Sequence, residues 1–142
     1  TPFGMKRELL LSPLGVPCNP PPWGAIAAVD MKRGEIVWEV PLGTTEGRVP
    51  FLKRNYGMPG VGGPMITASG LVFIGAVTDN YLRAIDIESG RELWKGGLPA
   101  GGQATPMTYS YRGRQYVVIA AGGHSTLGSR AGDSIVAFAL PR

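Results

Sequence analysis

Residues 28–38, AVDMKRGEIVW, recur as AIDIESGRELW at residues 84–94, 56 positions further along the chain. Both copies fit the pattern A-x-D-x-x-x-G-x-x-x-W, and the agreement extends before the motif, where Ile26 matches Leu82. A fixed period of this kind is typical of repeat architectures, in which each unit buries its apolar face against the next. The sequence therefore predicts two copies of one unit, stacked as neighbouring sheets of a radial array.

Each copy of the repeat predicts a β-hairpin. Short apolar runs that are typical of strands stand on both sides of the central residues. Asp30 in the first copy and Asp86 in the second can accept hydrogen bonds from backbone amides two residues further on. Gly34 and Gly90 can take the positive φ that the turn requires. The turn chemistry of the hairpin is therefore present in both copies.

A tryptophan ends each hairpin, at Trp38 and at Trp94. A large flat ring can cover the turn of the neighbouring unit while its N–H donates to a carbonyl. We therefore expect both indoles to be largely buried between sheets.

A second repeated pair predicts two further hairpins. The runs GPMIT at residues 63–67 and TPMTY at residues 105–109 share a Pro-Met dipeptide, and each is followed by a glycine and an apolar run, LVFIG at 71–75 and QYVVIA at 115–120. These hairpins alternate along the chain with those of the first repeat. Four strands per unit is the anatomy of a β-propeller blade.

The predicted fold is all-β, with about two to two-and-a-half propeller blades of four-stranded antiparallel sheet. Residues 1–62 are expected to form an irregular loop and half a blade, residues 63–98 one blade, and residues 99–142 most of the last blade. The chain starts at Thr1 without a methionine, and its last apolar run, 137–140, stops where the Asp-turn-Trp pattern would follow. Both features suggest a fragment or a processed product.

Composition supports strands and turns rather than helices. The 142 residues include 22 Gly and 13 Pro, whereas 44% are hydrophobic and 17% charged, so the chain is rich in turns yet able to form a core. The net charge of +4 comes from scattered residues, and nucleic acid is therefore not an expected partner. Cys18 is the single cysteine, which excludes an internal disulfide. No apolar run approaches the length of a transmembrane helix.

Common catalytic motifs are absent, including G-x-G-x-x-G, Walker A, H-E-x-x-H and C-x-x-C. His124 is the most informative polar residue, because it follows an apolar strand in the run AAGGH at residues 120–124. An imidazole there can orient a substrate or a reduced cofactor, or it can simply bond to backbone. Asp79 lies between two predicted strands and is by default a hairpin-turn residue. Residues 101–104, GGQA, are readable as a flexible linker between blades.

The repeated motif resembles the tryptophan-docking motif of the quinoprotein dehydrogenases, which bind pyrroloquinoline quinone (PQQ) inside an eight-bladed propeller. Longer stretches extend the resemblance over nearly the whole chain, at residues 11–18, 57–64, 98–109 and 121–133. They look like the C-terminal end of the membrane-bound glucose dehydrogenase and quinate/shikimate dehydrogenase branch. The run 98–109, LPAGGQATPMTY, is far more specific than the docking motif.

The resemblance implies an enzyme that oxidises a sugar or cyclic polyol at a CH–OH carbon and passes electrons to ubiquinone. It implies a calcium or magnesium ion beside the quinone, N-terminal membrane helices, and a location on the periplasmic face of the inner membrane. Asp79 matches an acidic residue of the cofactor and electron-transfer environment, and His124 matches a histidine near substrate and quinone. The family's general-base Asp and basic quinone residue lie before this stretch, so no catalytic residue or metal ligand is assigned here.

A non-catalytic propeller is the alternative interpretation, because scaffold proteins of outer-membrane assembly share the docking repeats without a cofactor. The stretches GGQATPM at 101–107 and GGH at 122–124 favour the enzyme, since a scaffold has no reason to carry them. The chain alone is expected to be inactive, and its open strand edges are expected to promote self-association.

Overall fold

A computed structural model describes residues 2–6, 8, 10–45 and 55–141, so the stretch 1–62, predicted to form an irregular loop and half a blade, falls partly outside the description. Within these residues the chain forms nine strands in three antiparallel sheets, one short 3₁₀ turn (Ser125–Leu127) and no α-helix. The predicted all-β class is therefore confirmed.

The three sheets follow one another along the sequence, and each contains only consecutive strands. Sheet 1 has two strands, sheet 2 has four and sheet 3 has three. The strands of the three sheets in order are β1 (Ala25–Asp30) and β2 (Glu35–Pro41), then β3 (Met65–Ile66), β4 (Leu71–Ile74), β5 (Tyr81–Asp86) and β6 (Glu92–Gly97), then β7 (Met107–Tyr111), β8 (Arg114–Ala121) and β9 (Ser134–Phe138).

The hairpins β1–β2 and β5–β6 share one register. Ala28 pairs with Trp38 and Ala84 with Trp94, and each hairpin has an irregularity in the ladder directly after the alanine. The first turn closes as the sequence predicts, because Asp30 Oδ1 accepts a hydrogen bond of 2.8 Å from the N–H of Lys32. The repeated motif thus encodes a repeated backbone.

Trp38 links sheet 1 to sheet 2. Its indole N–H donates to the carbonyl oxygen of Ile87 at 2.9 Å, and its ring lies over the turn of the second motif. A Cβ atom placed on Gly90 would lie 2.7 Å from Trp38 Cε3, so only glycine permits this approach. The predicted docking of an indole on the neighbouring turn is confirmed, although Trp38 is half-buried rather than largely buried.

Trp94 does not meet its prediction, since 40% of its surface is exposed. Its ring packs edge-on against Phe138, with the centroids 5.1 Å apart. The physical reason is the number of motif copies: the sequence contains two, and no third turn follows Trp94. An indole of this kind is buried by its neighbour, not by its own hairpin.

Two apolar clusters lie between the sheets. The first joins sheets 1 and 2 and comprises Leu42, Met58, Val72, Ile74, Ala76, Val77 and Ile85. The second joins sheets 2 and 3 and comprises Leu82, Leu98, Ala100, Val117, Ile119 and Ala121. Sheet 2 thus contributes to both clusters, as expected for stacked sheets that bury apolar surface against their neighbours.

The connections β2–β3, β4–β5, β6–β7 and β8–β9 gather at one end of the stack, which we call the loop face. A bridge between Gly60 and Val77 joins the first two of these connections. The N–H of Gly123 donates to the carbonyl of Gly101 at 2.8 Å and so joins the other two. The Asp-turn-Gly hairpin ends lie at the opposite end of the strands.

Candidate functional site

A cleft of about 270 Å³ opens at the loop face. Its lining is mainly apolar and comes from the N-terminal segment and several connections: Leu11, Leu14, Gly15, Val16, Pro17, Trp23, Thr45, Met58, Pro59, Thr78 and Leu127. Thr78 directly precedes Asp79, and Leu127 lies in the 3₁₀ turn that directly follows His124. The segments that carry the two predicted site residues therefore border the same cleft.

Asp79 is buried in an ion pair with Arg83. Nη1 of Arg83 donates to Asp79 Oδ1 at 3.0 Å, and Nη2 donates to Oδ2. The N–H of Thr44, from the connection after β2, donates to the same Oδ2 at 2.8 Å. Both oxygens thus have partners, and the carboxylate ties sheet 1 to sheet 2 at the loop face, opposite the Trp38 contact.

Arg83 is only 2% exposed, yet it keeps its charge. Burial by itself would lower the pKa of Arg83, but the hydrogen bond and Coulombic attraction of Asp79, together with Glu92, raise that pKa above its usual value. Nε of Arg83 donates to Glu92 Oε2 at 2.9 Å. Arg83 therefore holds the side chain of Asp79 in place, and sequence reasoning did not identify this partner.

His124 is half-buried in the connection between β8 and β9. Its backbone N–H donates to Ser129 Oγ at 2.7 Å, and its carbonyl accepts from the N–H of Leu127 at 3.2 Å. Its ring atom Nδ1 is buried and has no hydrogen-bond partner among the described residues. The described residues show hydrogen bonds of the His124 main chain but none from its imidazole to backbone, and Nδ1 is unpartnered.

Gln103 joins the connections that carry Asp79 and His124. Its Nε2 donates to the carbonyl of Val77 at 3.0 Å, and its Oε1 accepts from Ser129 Oγ at 3.2 Å. Asp79 and His124 themselves share no hydrogen bond or ion pair in the described part of the chain. The structure thus brings their loops together through an amide rather than through direct contact.

Residues 101–104 are not a flexible linker. Gly101 and Gly102 are buried, and a Cβ atom on Gly101 would collide with Gln103 Oε1 and Ser129 Oγ. The glycines therefore provide room for the Gln103–Ser129 contact. The sequence indicated this segment only through the family resemblance of the run 98–109. It did not predict the contact with Ser129.

The described residues suit a quinone better than a metal ion. They contain no group of three or more His, Cys, Asp or Glu side chains able to hold a metal, and both oxygens of Asp79 are already bonded. A mainly apolar cleft fits a planar ring, and the connection that borders this cleft at Leu127 also carries the unpartnered imidazole nitrogen of His124. No helix in the described ranges has the length and apolar character needed to cross a membrane.

The comparisons with known proteins agree with one another, and each covers most of the chain. Residues 1–117 match the family model described as "PQQ: Glucose/ethanol/alcohol dehydrogenase, beta-propeller domain". Quinoprotein glucose dehydrogenase of Escherichia coli K12 is 52% identical over 99% of this chain and 18% of its own length. Quinate/shikimate dehydrogenase (quinone) of Acinetobacter baylyi is 45% identical over 100% of this chain and again 18% of its own length.

A solved structure shows the same fold. The quinohemoprotein alcohol dehydrogenase from Comamonas testosteroni superposes with a TM-score of 0.61 at 25% identity, covering 81% of this chain and 16% of that one. The predicted propeller class is therefore confirmed. The chain spans less than one fifth of the length of these relatives.

Proposed function

The chain belongs to the family of PQQ-dependent dehydrogenases, and on that premise we propose that it is the C-terminal part of a quinoprotein oxidoreductase. The whole enzyme oxidises a sugar or cyclic polyol, of the glucose or quinate/shikimate type, at a CH–OH group and passes the electrons to ubiquinone. Support comes from the high identity to enzymes with those names over almost every residue of the chain.

PQQ, when bound, supplies the two-electron acceptor that no amino-acid side chain can provide. One observation supports a place for this chain in the substrate and cofactor site: Nδ1 of His124, at the loop face, is buried and unpartnered. We propose that in this position the imidazole hydrogen-bonds a substrate hydroxyl or a quinone oxygen. His124 is therefore proposed as a residue of the substrate and cofactor site.

Asp79 is proposed to belong to the cofactor environment without touching the reacting atoms. Its oxygens are engaged by Arg83 and by the N–H of Thr44, so it positions the connections at the loop face and contributes to the charge there. We propose that a calcium or magnesium ion would take most of its ligands from residues outside this chain.

The remaining assignments are proposals that rest on the sequence pattern and on the family resemblance. We propose that residues 1–62 contribute a loop and half a blade, 63–98 one blade, and 99–142 most of the last blade of an eight-bladed propeller. The enzyme is anchored by N-terminal membrane helices and works on the periplasmic face of the inner membrane. The isolated chain is inactive and self-associates, because β9 is an edge strand of its sheet.

The substitution His124→Asn in the full-length holoenzyme tests the proposal. Asparagine keeps a hydrogen-bonding group and much of the shape but removes the imidazole ring. We expect the KM for the polyol to rise about three- to tenfold, the range expected for loss of one hydrogen bond, or the pH profile to shift. Steady-state kinetics across pH, beside a melting curve, measure both effects.

An unchanged KM and pH profile with a lowered melting temperature would make His124 purely structural. The non-catalytic scaffold is tested separately, because a full-length protein that binds no PQQ and oxidises no polyol would support it. The relatives compared above are all named as dehydrogenases, and none favours the scaffold.

A further inference from the structure

We infer that Gln103 and Ser129 act together as positioning residues, which hold the His124 connection against the β4–β5 connection and thereby orient the imidazole. This inference rests on the proposed role of His124 and extends it to two residues that touch neither substrate nor cofactor. It also assigns the run GGQA a positioning role through Gln103, in addition to its place between two blades.

Three hydrogen bonds form a continuous chain across the interface of sheets 2 and 3. It begins at the carbonyl of Val77, which accepts from Gln103 Nε2 at 3.0 Å. Gln103 Oε1 then accepts from Ser129 Oγ at 3.2 Å. Ser129 Oγ accepts in turn from the N–H of His124 at 2.7 Å.

The donors and acceptors leave little freedom in this chain. The amide of Gln103 must offer its NH₂ to a carbonyl and its oxygen to a hydroxyl, so its orientation is set at both ends. Ser129 is only 7% exposed, and its hydroxyl can both accept from an amide and donate to an oxygen. A buried network in which each member is paired is rigid, and it transmits a displacement at one end to the other.

The backbone of His124 is thus held from two directions. Its N–H is bound by Ser129 Oγ, while its carbonyl accepts from the N–H of Leu127 at 3.2 Å. With the main chain held in this way, the ring has a restricted set of positions, and its buried Nδ1 has no hydrogen-bond partner among the described residues. Loss of either positioning side chain is expected to loosen the imidazole without removing it.

Single substitutions in the full-length holoenzyme provide the first test. Ser129→Ala removes one hydroxyl, and Gln103→Leu removes both amide contacts at similar volume. We expect each to raise the KM for the polyol about three- to tenfold, with a smaller change in kcat, in line with loss of one or two hydrogen bonds. Gln115→Leu is the matched control, since Gln115 is exposed and bonds Thr108 Oγ1 at the opposite end of the sheet.

The decisive test places Ser129→Ala in a His124→Asn background. If Ser129 acts through His124, the double variant has the KM and pH profile of His124→Asn alone. A further rise in KM equal to that of Ser129→Ala in the wild type would overturn the inference, because Ser129 would then act independently of the imidazole. Unchanged KM in both Ser129→Ala and Gln103→Leu would overturn it as well.

Failure of the inference and failure of the proposed function give different results. If His124→Asn alters KM or the pH profile and the positioning variants do not, only the inference fails. If His124→Asn changes neither quantity, the proposed role of His124 fails, and the inference fails with it. Should Gln103→Leu not accumulate as folded holoenzyme, Ser129→Ala, which removes a single oxygen, decides the outcome.

Discussion

The two copies of the docking motif share a backbone but differ in environment. Trp38 of the first copy lies on the turn of the second, with its N–H on the carbonyl of Ile87 and its ring against Gly90. Trp94 of the second copy is 40% exposed and packs against Phe138 within the following sheet. At the other end of the array, a Cβ atom added to Gly34 would meet nothing within 4 Å.

This difference separates what the motif does for its own hairpin from what it does for its neighbour. The register and the positive φ of the glycine, 68° for Gly34 and 70° for Gly90, are nearly the same in both copies. The packing between hairpins differs, and so do the hydrogen bonds of the turn aspartate, because Asp86 Oδ1 also accepts from the hydroxyl of Ser89. Matched substitutions that leave the aspartate unchanged therefore compare the docking of the two hairpins.

The largest difference in the free energy of unfolding is expected between Trp38→Ala and Trp94→Ala. Trp38→Ala removes a hydrogen bond between sheets and the ring that covers a turn, and should lower the free energy of unfolding by about 3 kcal/mol. Trp94→Ala removes mainly an edge-on ring contact and should cost about 1 kcal/mol. Urea unfolding of the 142-residue chain, followed by circular dichroism at a concentration at which sedimentation shows a monomer, measures both. Equal losses would show that docking on Gly90 adds nothing beyond ring burial.

A smaller difference is expected between Gly90→Ala and Gly34→Ala. Both place a side chain at positive φ, which costs about 1–2 kcal/mol in either copy. Gly90→Ala also forces a methyl group into the ring of Trp38, which adds about 1–2 kcal/mol of overpacking. The same unfolding measurement applies, and the added cost should vanish when Trp38→Ala is combined with Gly90→Ala. Persistence of the added cost in that double variant would contradict the assigned contact.

The smallest effect is expected on the melting temperature at acidic pH, through the turn that contains Asp86. The hydrogen bonds from the hydroxyl and N–H of Ser89 lower the pKa of Asp86 below its ordinary value near 3.8. Because the pKa of Asp86 is lower in the folded than in the unfolded chain, its ionised carboxylate stabilises the fold. This stabilisation is complete above the unfolded-state pKa and is lost as the pH falls through the folded-state pKa. Asp86→Asn should therefore flatten the fall in melting temperature below about pH 4.

Glu39→Gln, which removes an exposed carboxylate on β2, is the control for general loss of charge. If the melting temperatures of Asp86→Asn and the wild type fell identically at acidic pH, the stabilising effect of the turn bonds would not depend on ionisation of Asp86.

The candidate site was only partly predictable. His124 and Asp79 were identified through family resemblance, and the cleft beside their connections is consistent with that choice. Arg83, Gln103 and Ser129 were not identified. Arg83 sits in a strand as an ordinary charged residue of the sequence, and Ser129 lies 26 positions from Gln103, so no local pattern marks either partner.

What the sequence by itself determined is the unit: a hairpin with an Asp-turn-Gly corner, a terminal tryptophan and a fixed period. Those features depend on backbone conformation and on hydrogen bonds between residues two to four positions apart, which a short pattern encodes completely. Only the tertiary structure decided which tryptophan is covered, how the N–H of Thr44 reaches Asp79, and how Gln103 reaches the His124 connection. These outcomes depend on surfaces brought together from distant parts of the chain, and burial is a property of both surfaces rather than of either segment.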